Sequence, residues 1–446
     1  MPSQHPTLSD SANRTLPWLA ALLIATTGAV SCDVAEDPTT DQAAETGSKH
    51  HHHHNADAAA ETTSATPAPP LANVQAAGPV QGATDPALEK HQGKHGEKHE
   101  DGHGKKHDST GAAAGEVSKH TSSTTASAPT PGVFWYATLH DAGAQDPVTG
   151  QESVFGFGSD GRSAGGVLAK VPDAAGELQD FRGMLGLADG SLLVIAAWKH
   201  NTEILHFGPP GDDARRPYIG VFTRNSDANP LLVHPYGMAV GPDGSIYVSN
   251  QDSNTVTRYG APGTSDAGKP LGRDGRPDIG TKTAGLVVPS HEMSKDGIKE
   301  VRGIAFASDG TLLVADRGKG EVTRWDVARG ERIAILASRD SGIETPIQLL
   351  IGPDARTLYI SDNKRNAVFT LDLSGGSPRV FLDENAGIDA GSSLAILDGH
   401  LYVGSRKARA ILRFGLADGT PDPRPFIADL PDNPEFFLPN PSEVRR

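Results

Sequence analysis

Five segments of the chain can be laid over one another: "GMLGLADGSLLVIAAWKHNTEILHF", "GMAVGPDGSIYVSNQDSNTVTRY", "GIAFASDGTLLVADRGKGEVTRW", "QLLIGPDARTLYISDNKRNAVFTL" and "SSLAILDGHLYVGSRKARAILRF". Each reads as a short apolar strand, a tight turn, a second strand, a polar loop and a third strand ending in a large apolar residue. The turn is Asp-Gly at Asp189, Asp243, Asp309 and Asp398, and Asp-Ala at Asp354. Asp-Gly between apolar runs is a strong hairpin signal, because both residues tolerate the backbone that a tight turn demands. Tandem units of this kind cannot bury their apolar faces alone and must stack on their neighbours.

A fourth strand is predicted after four of these units: "YIGVF" at Tyr218, "RIAIL" at Arg332, "RVFL" at Arg379 and "FIADL" at Phe426. Four antiparallel strands per unit, repeated, describe the blades of a β-propeller. The spacing widens over Gly260 to Lys299, a stretch rich in Gly, Pro and Asp. A sixth unit is split between the ends. "VFWYATL", "SVFGF" and "GVLAKV" (Val133 to Val171) supply its second, third and fourth strands, and "EFFLPNPSEV" (Glu435 to Val444) supplies the first. Joining the ends in this way closes the ring and removes its free edges. The expected fold is therefore all-β, a six-bladed propeller over residues 133–446.

"PYGMAVGPDGSIYVSN" and "VRGIAFASDGTLLVADRGKGEVTRW" resemble NHL repeats, whose pattern is a Pro-x-Gly-Ile-Ala-Val strand, an Asp-Gly turn, a Tyr-Val-Ala-Asp strand and an Arg-Ile-x-Arg-Phe strand. The resemblance covers Val133 to Val444 and implies the NHL and gluconolactonase-like propeller superfamily. It speaks for the fold; such folds carry many functions.

The first 132 residues are of another kind. "NRTLPWLAALLIATTGAVSC" has Arg14, an apolar stretch from Leu16 to Val30, and small residues before Cys32, the chain's one cysteine. This is the layout of a secretory signal peptide over residues 1–31, too short for a comfortable membrane span. Small residues before a lone Cys resemble the lipobox of bacterial lipoproteins, although Ala29 stands where Leu is usual. The resemblance implies lipidation of Cys32, and two or more acyl chains there would give stable membrane anchoring. Residues 32–132 are poor in aromatic and branched apolar side chains and are expected to be a disordered tether, with a root-mean-square span on the order of 50 to 60 Å. His50, His51, His52, His53 and His54 form a run on it, and His91, His95, His99, His103 and His107 recur every fourth residue. Gly93, Gly96, Gly102 and Gly104 oppose a helix, so these imidazoles read as a flexible strand able to wrap Zn, Ni or Cu. The alternative is a solvated polar spacer.

Strand direction alternates, so residues entering each first strand and leaving each second strand share one face, around the mouth of the channel. That face collects Arg182, Lys199, His200, His234, Tyr236, Asn250, Arg302, Asp316, Arg317, Asp362 and Arg406. Basic groups outnumber acidic ones there although the chain carries a net charge of -15. This points to an anionic small ligand, or an envelope protein or glycan, bound at the channel. Long charged side chains tiling a solvated face are the plainer alternative.

Two enzyme readings compete with binding. Lactonases of this superfamily hold a divalent metal with Glu, Asn and Asp at such strand ends, which implies Ca or Zn at Asn250, Asp316 and Asp362, with Glu443 as a distant candidate for the Glu. Amidating lyases use channel histidines on Zn, for which His200 and His234, with His140 or His291, are candidates. Their Pro-His-Gly entry reads Pro235-Tyr236-Gly237 here. No phosphate loop, nucleophile elbow or metalloprotease motif is present, and the acidic balance excludes a general nucleic-acid binder. The reading is a monomeric, exported cell-envelope lipoprotein, anchored in the membrane at Cys32 or secreted if that residue is not lipidated, whose propeller binds rather than catalyses.

Overall fold

In the computed structural model, residues 132–140, 145–172, 178, 180–198 and 202–441 are described. The leader, Cys32, the tether histidines, Lys199, His200 and Glu443 lie outside them.

The Asp turns form for the expected reason. In four of them the aspartate Oδ1 accepts from the amide two residues on: Ser191 at 2.9 Å, Ser245 at 3.1 Å, Thr311 at 3.0 Å and Arg356 at 3.0 Å. This is the side-chain mimic of a backbone turn. At the fifth, Asp398 and Gly399 are both left-handed (φ 47° and 73°), and Leu397 pairs directly with His400. That is the two-residue hairpin geometry matched to strand twist.

The strands assemble into six blades, numbered here around the ring. Blade 1 combines Asn433–Pro439 with Trp135–His140, Phe155–Phe157 and Ser163–Gly166. Blade 2 runs from Phe181–Gly186 through Leu192–Ala196 and Glu203–Phe207 to Tyr218–Arg224. Blade 3 holds Pro235–Val240, Ile246–Asn250, Thr255–Tyr259 and Leu286–Val288, the last supplied from within the wide Gly260 to Lys299 stretch. Blade 4 comprises Val301–Phe306, Leu312–Asp316, Glu321–Asp326 and Glu331–Ala337. Blade 5 comprises Pro346–Ile351, Thr357–Asp362, Ala367–Asp372 and Arg379–Leu382. Blade 6 has three strands, Gly391–Leu397, His400–Ser405 and Ala410–Gly415. The molecule is a six-bladed β-propeller.

Two expected strands differ. The one at Phe426 reduces to a single bridge, Ile411 with Ile427. Pro421, Pro423 and Pro425 lead into it, and proline offers no amide to a ladder. The outer strand of blade 1 ends at Gly166 rather than beginning there, and Leu168 instead bridges to Arg216 of blade 2.

The ring closes through side chains as well as the C-terminal strand. Trp135 stacks on Phe437 (centroids 4.6 Å, planes at 13°) and meets Tyr402 of blade 6 at 4.5 Å. Aromatic pairs of this kind contribute about 0.5–1.5 kcal/mol beyond their buried area. At the seam between blades 1 and 2, Asn440 donates to Val133 O at 2.7 Å. Arg216 there is fully buried. It donates to Tyr136 Oη, Gly190 O and Gly208 O at 2.8–3.1 Å and reaches Asn440 Oδ1 at 3.4 Å.

Candidate anion site in the channel

The innermost strand of every blade carries an irregularity at the same place. In blade 2, Phe181 pairs with Ala196 and Met184 with Val194, so Arg182 and Gly183 oppose one residue. The same two-against-one count holds at Arg302-Gly303, Ile347-Gln348 and Ser392-Ser393. In blade 3 the pairing skips Tyr236, and in blade 1 it skips Glu435. A bulge adds a residue to one strand and re-aims its side chain. Six bulges thus produce one ring: Arg182, Tyr236, Arg302, Ile347, Ser392 and Glu435.

The ring is charged and buried. Arg182 is 1% exposed, Arg302 4%, Tyr236 and Glu435 0%, and Arg406, just after the second strand of blade 6, is 6%. Glu435 Oε1 lies 3.0 Å from Arg406 Nη2, 3.5 Å from Arg182 Nη1 and 3.9 Å from His140 Nε2. Arg302 has no acid within ion-pair distance among the described residues. Its Cζ sits 5.4 Å from the centre of the Tyr236 ring, and Nη1 donates to its own strand at Val301 O (2.8 Å). Burial pulls the Arg302 guanidinium down to about 10, so it stays charged at neutral pH. Burial pushes the Tyr236 phenol well up, with Glu435 adding to the effect, so Tyr236 remains a donor.

Two guanidinium groups therefore converge on one carboxylate and a third stands without one, with donors left over. Arg182 Nε and Nη1, Arg302 Nε, Arg406 Nε, Tyr236 Oη and both polar atoms of the Gln348 side chain lack a hydrogen-bond partner. Buried polar groups are nearly always paired, so such a concentration asks for a ligand's oxygens. Gln348 stands where Gly183, Gly237 and Gly303 occupy the matching position of their blades. A Cβ on Gly303 would come within 2.6 Å of Ile347 O and 3.1 Å of Gln348 Cα, so the backbone of Gln348 packs against Gly303, the residue after Arg302.

His234 joins the ring from the loop entering blade 3. Its Nε2 is 3.4 Å from Arg182 Nη2, and its Nδ1 is 3.2 Å from Asp252 Oδ1. Arg182, His234, Tyr236, Arg302 and Arg406, all singled out in the sequence, thus come together. Glu435 and Gln348 were not singled out as site residues. Glu435 was read only as part of a strand, and the signal that could have flagged it was an acid within an otherwise apolar first strand.

The remaining candidates are placed elsewhere. Asp316 accepts from the amides of Lys299, Glu300 and Lys319 at 3.0–3.1 Å. Asp362 accepts from those of Glu344, Thr345, Lys364 and Arg365 at 2.6–3.2 Å. Both clasp the loops of their own blades, which corrects the expectation that they face a ligand. Asn250 donates to Thr257 Oγ1 at 2.9 Å and is fully enclosed. Arg317 is at the rim, 3.6 Å from Glu300.

Of the candidates for a divalent metal, His200 and Glu443 lie outside the described residues, and those within them are not gathered as a ligand set. The Asp316 and Asp362 oxygens are engaged by amides, and among the described residues no three His, Cys, Asp or Glu side chains converge. His291 is exposed, apart from the ring. Guanidinium groups crowd Glu435, where a cation would be repelled.

No protein-family model matches the sequence, and no curated protein matches it. Solved structures do. A nidogen/laminin complex structure aligns at 12% identity and TM-score 0.48, covering 69% of this chain and 98% of that one. A 6-phosphogluconolactonase candidate from Bacteroides fragilis aligns at 16% and 0.43, covering 70% and 99%. A catalytically inactive virginiamycin B lyase from Staphylococcus aureus, with quinupristin, aligns at 15% and 0.41, covering 65% and 84%.

Proposed function

We propose that the protein is an exported, envelope-anchored propeller whose channel binds a small anionic ligand. The observation that carries this is the buried ring itself, where, among the described residues, Arg182, Arg302 and Arg406 share the one ring carboxylate of Glu435 and keep unpaired donors. Glu435 is already balanced by Arg182 and Arg406, so Arg302 is the anchor for a carboxylate or phosphate oxygen. A buried guanidinium binds such groups strongly because its planar fork matches them and little water competes. Tyr236 and Gln348 supply neutral hydrogen bonds beside it. The leader and Cys32 support export and anchoring, and the tether histidines support secondary capture of Zn, Ni or Cu.

The test is calorimetric titration with inorganic phosphate, acetate, citrate and glucuronate, with glucose as the neutral control. Saturable binding of at least one anion and none of glucose is expected, weakened tenfold or more by Arg302→Met. If none of the four anions binds, the reading is wrong.

A further inference from the structure

His234 adopts a left-handed backbone (φ 49°) although it is not glycine. Such a conformation costs about 1–3 kcal/mol and persists where the surroundings impose it. Here they do: Gln251 N donates to His234 O at 2.9 Å, and the Asp252 carboxylate holds the imidazole from the far side. Asp252 is about half exposed while His234 is buried, so the pair runs from solvent inward. A guanidinium can only donate. With Arg182 Nη2 donating, His234 Nε2 is the acceptor, which fixes the proton on Nδ1, facing Asp252. Arg182 in turn lies 3.5 Å from Glu435 through Nη1, and its Nε and Nη1 have no hydrogen-bond partner.

Resting on the anion reading above, we propose that Asp252 and His234 form a positioning couple for Arg182. The imidazole holds one arm of the guanidinium so that it does not close as a fork on Glu435. Its remaining donors then stay available to the ligand. The strained backbone is what brings Nε2 within reach of Arg182, and neither residue need touch the ligand. Arg182 from the inner strand of blade 2 faces this couple, with Glu435 and Arg406 behind Arg182.

The test is titration with inorganic phosphate, acetate, citrate and glucuronate, following whichever wild-type protein holds most tightly. His234→Leu is expected to weaken binding tenfold or more. His234→Gln, whose side-chain oxygen can still accept from Arg182, should stay within about threefold of wild type, since a single retained acceptor preserves most of the interaction. Both variants place a non-glycine residue in the same backbone, so strain does not separate them. Asp252→Asn, at a half-exposed position, should give an intermediate loss. In an Arg182→Met background, His234→Leu should add nothing further. Nitrogen chemical shifts of the imidazole should report the Nδ1-protonated tautomer. Equal affinities for the Leu and Gln variants, or effects of His234→Leu and Arg182→Met that simply multiply, overturn the positioning role and leave anion binding standing. Binding of none of these four anions by wild type overturns both.

Discussion

Two buried arginines lie at different places in the ring and face opposite circumstances. Arg216, at the seam of blades 1 and 2, has no carboxylate partner among the described residues, yet its donors meet a phenol oxygen and two backbone carbonyls. Arg302, in the channel, is nearly as buried, but it donates only to its own strand and leaves Nε without a partner. Burial and charge are alike; satisfaction is not. A charged group whose hydrogen bonds are complete belongs to the architecture, because removing it orphans everything it touched. One left incomplete is held in readiness at the expense of stability.

Four substitutions test that contrast. Arg216→Leu should be the most damaging, by about 5 kcal/mol in urea unfolding, since it removes the buried donors that Tyr136 Oη and two carbonyls accept from at the closing seam. Unchanged stability would remove the distinction between the two arginines.

Glu152 extends the comparison to a buried acid. Its Oε1 accepts from Phe181 N at 2.7 Å, while Oε2 is enclosed without a partner. Burial, aided by Asp180, pushes its carboxyl up to about 8, so this group answers incomplete satisfaction by keeping its proton. In the unfolded chain the proton is lost near the ordinary carboxylate value. Folding therefore takes up a proton between about pH 4.5 and 8. The stability this group contributes is fully present below that window and is lost as pH rises through it, on the order of 5 kcal/mol. Glu152→Gln should flatten the slope of unfolding free energy against pH across that range. An unchanged slope would place the titration elsewhere.

Asp362→Ala should cost about 2 kcal/mol by releasing the amides its carboxylate clasps. Anion affinity should stay within twofold of wild type, and a large loss of affinity would return Asp362 to the channel site. Arg302→Met should have the smallest effect on stability, from no change to a gain of about 1 kcal/mol, because an incompletely paired buried charge gives way to an apolar chain. A loss comparable to that of Arg216→Leu would make Arg302 structural.

Much of the fold was legible because it repeats. Hairpin turns are local, and Asp189, Asp243, Asp309, Asp354 and Asp398 mark them whatever surrounds them. The closing strand was legible because blade 1 lacked a first strand and the C-terminus offered one. The outer strand of blade 6 was misread, since an apolar run such as "FIADL" says nothing of whether prolines before it leave amides to pair. In the site, Asp316 and Asp362 looked like ligands because a carboxylate at a strand end suits both a metal and its own loop. Only the positions of the Lys299 and Glu344 amides separate the two.

The sequence by itself determined the blades, their number, their order around the ring and the set of arginines near its mouth, because these follow from periodicity and turn chemistry over short spans. The tertiary structure decided which of those arginines have acids. Glu435 is more than 200 residues from Arg182 along the chain and about 30 from Arg406, and they meet only when the C-terminal strand completes blade 1. Charge pairing depends on distance in space, and a closed ring makes neighbours of residues that the chain keeps far apart.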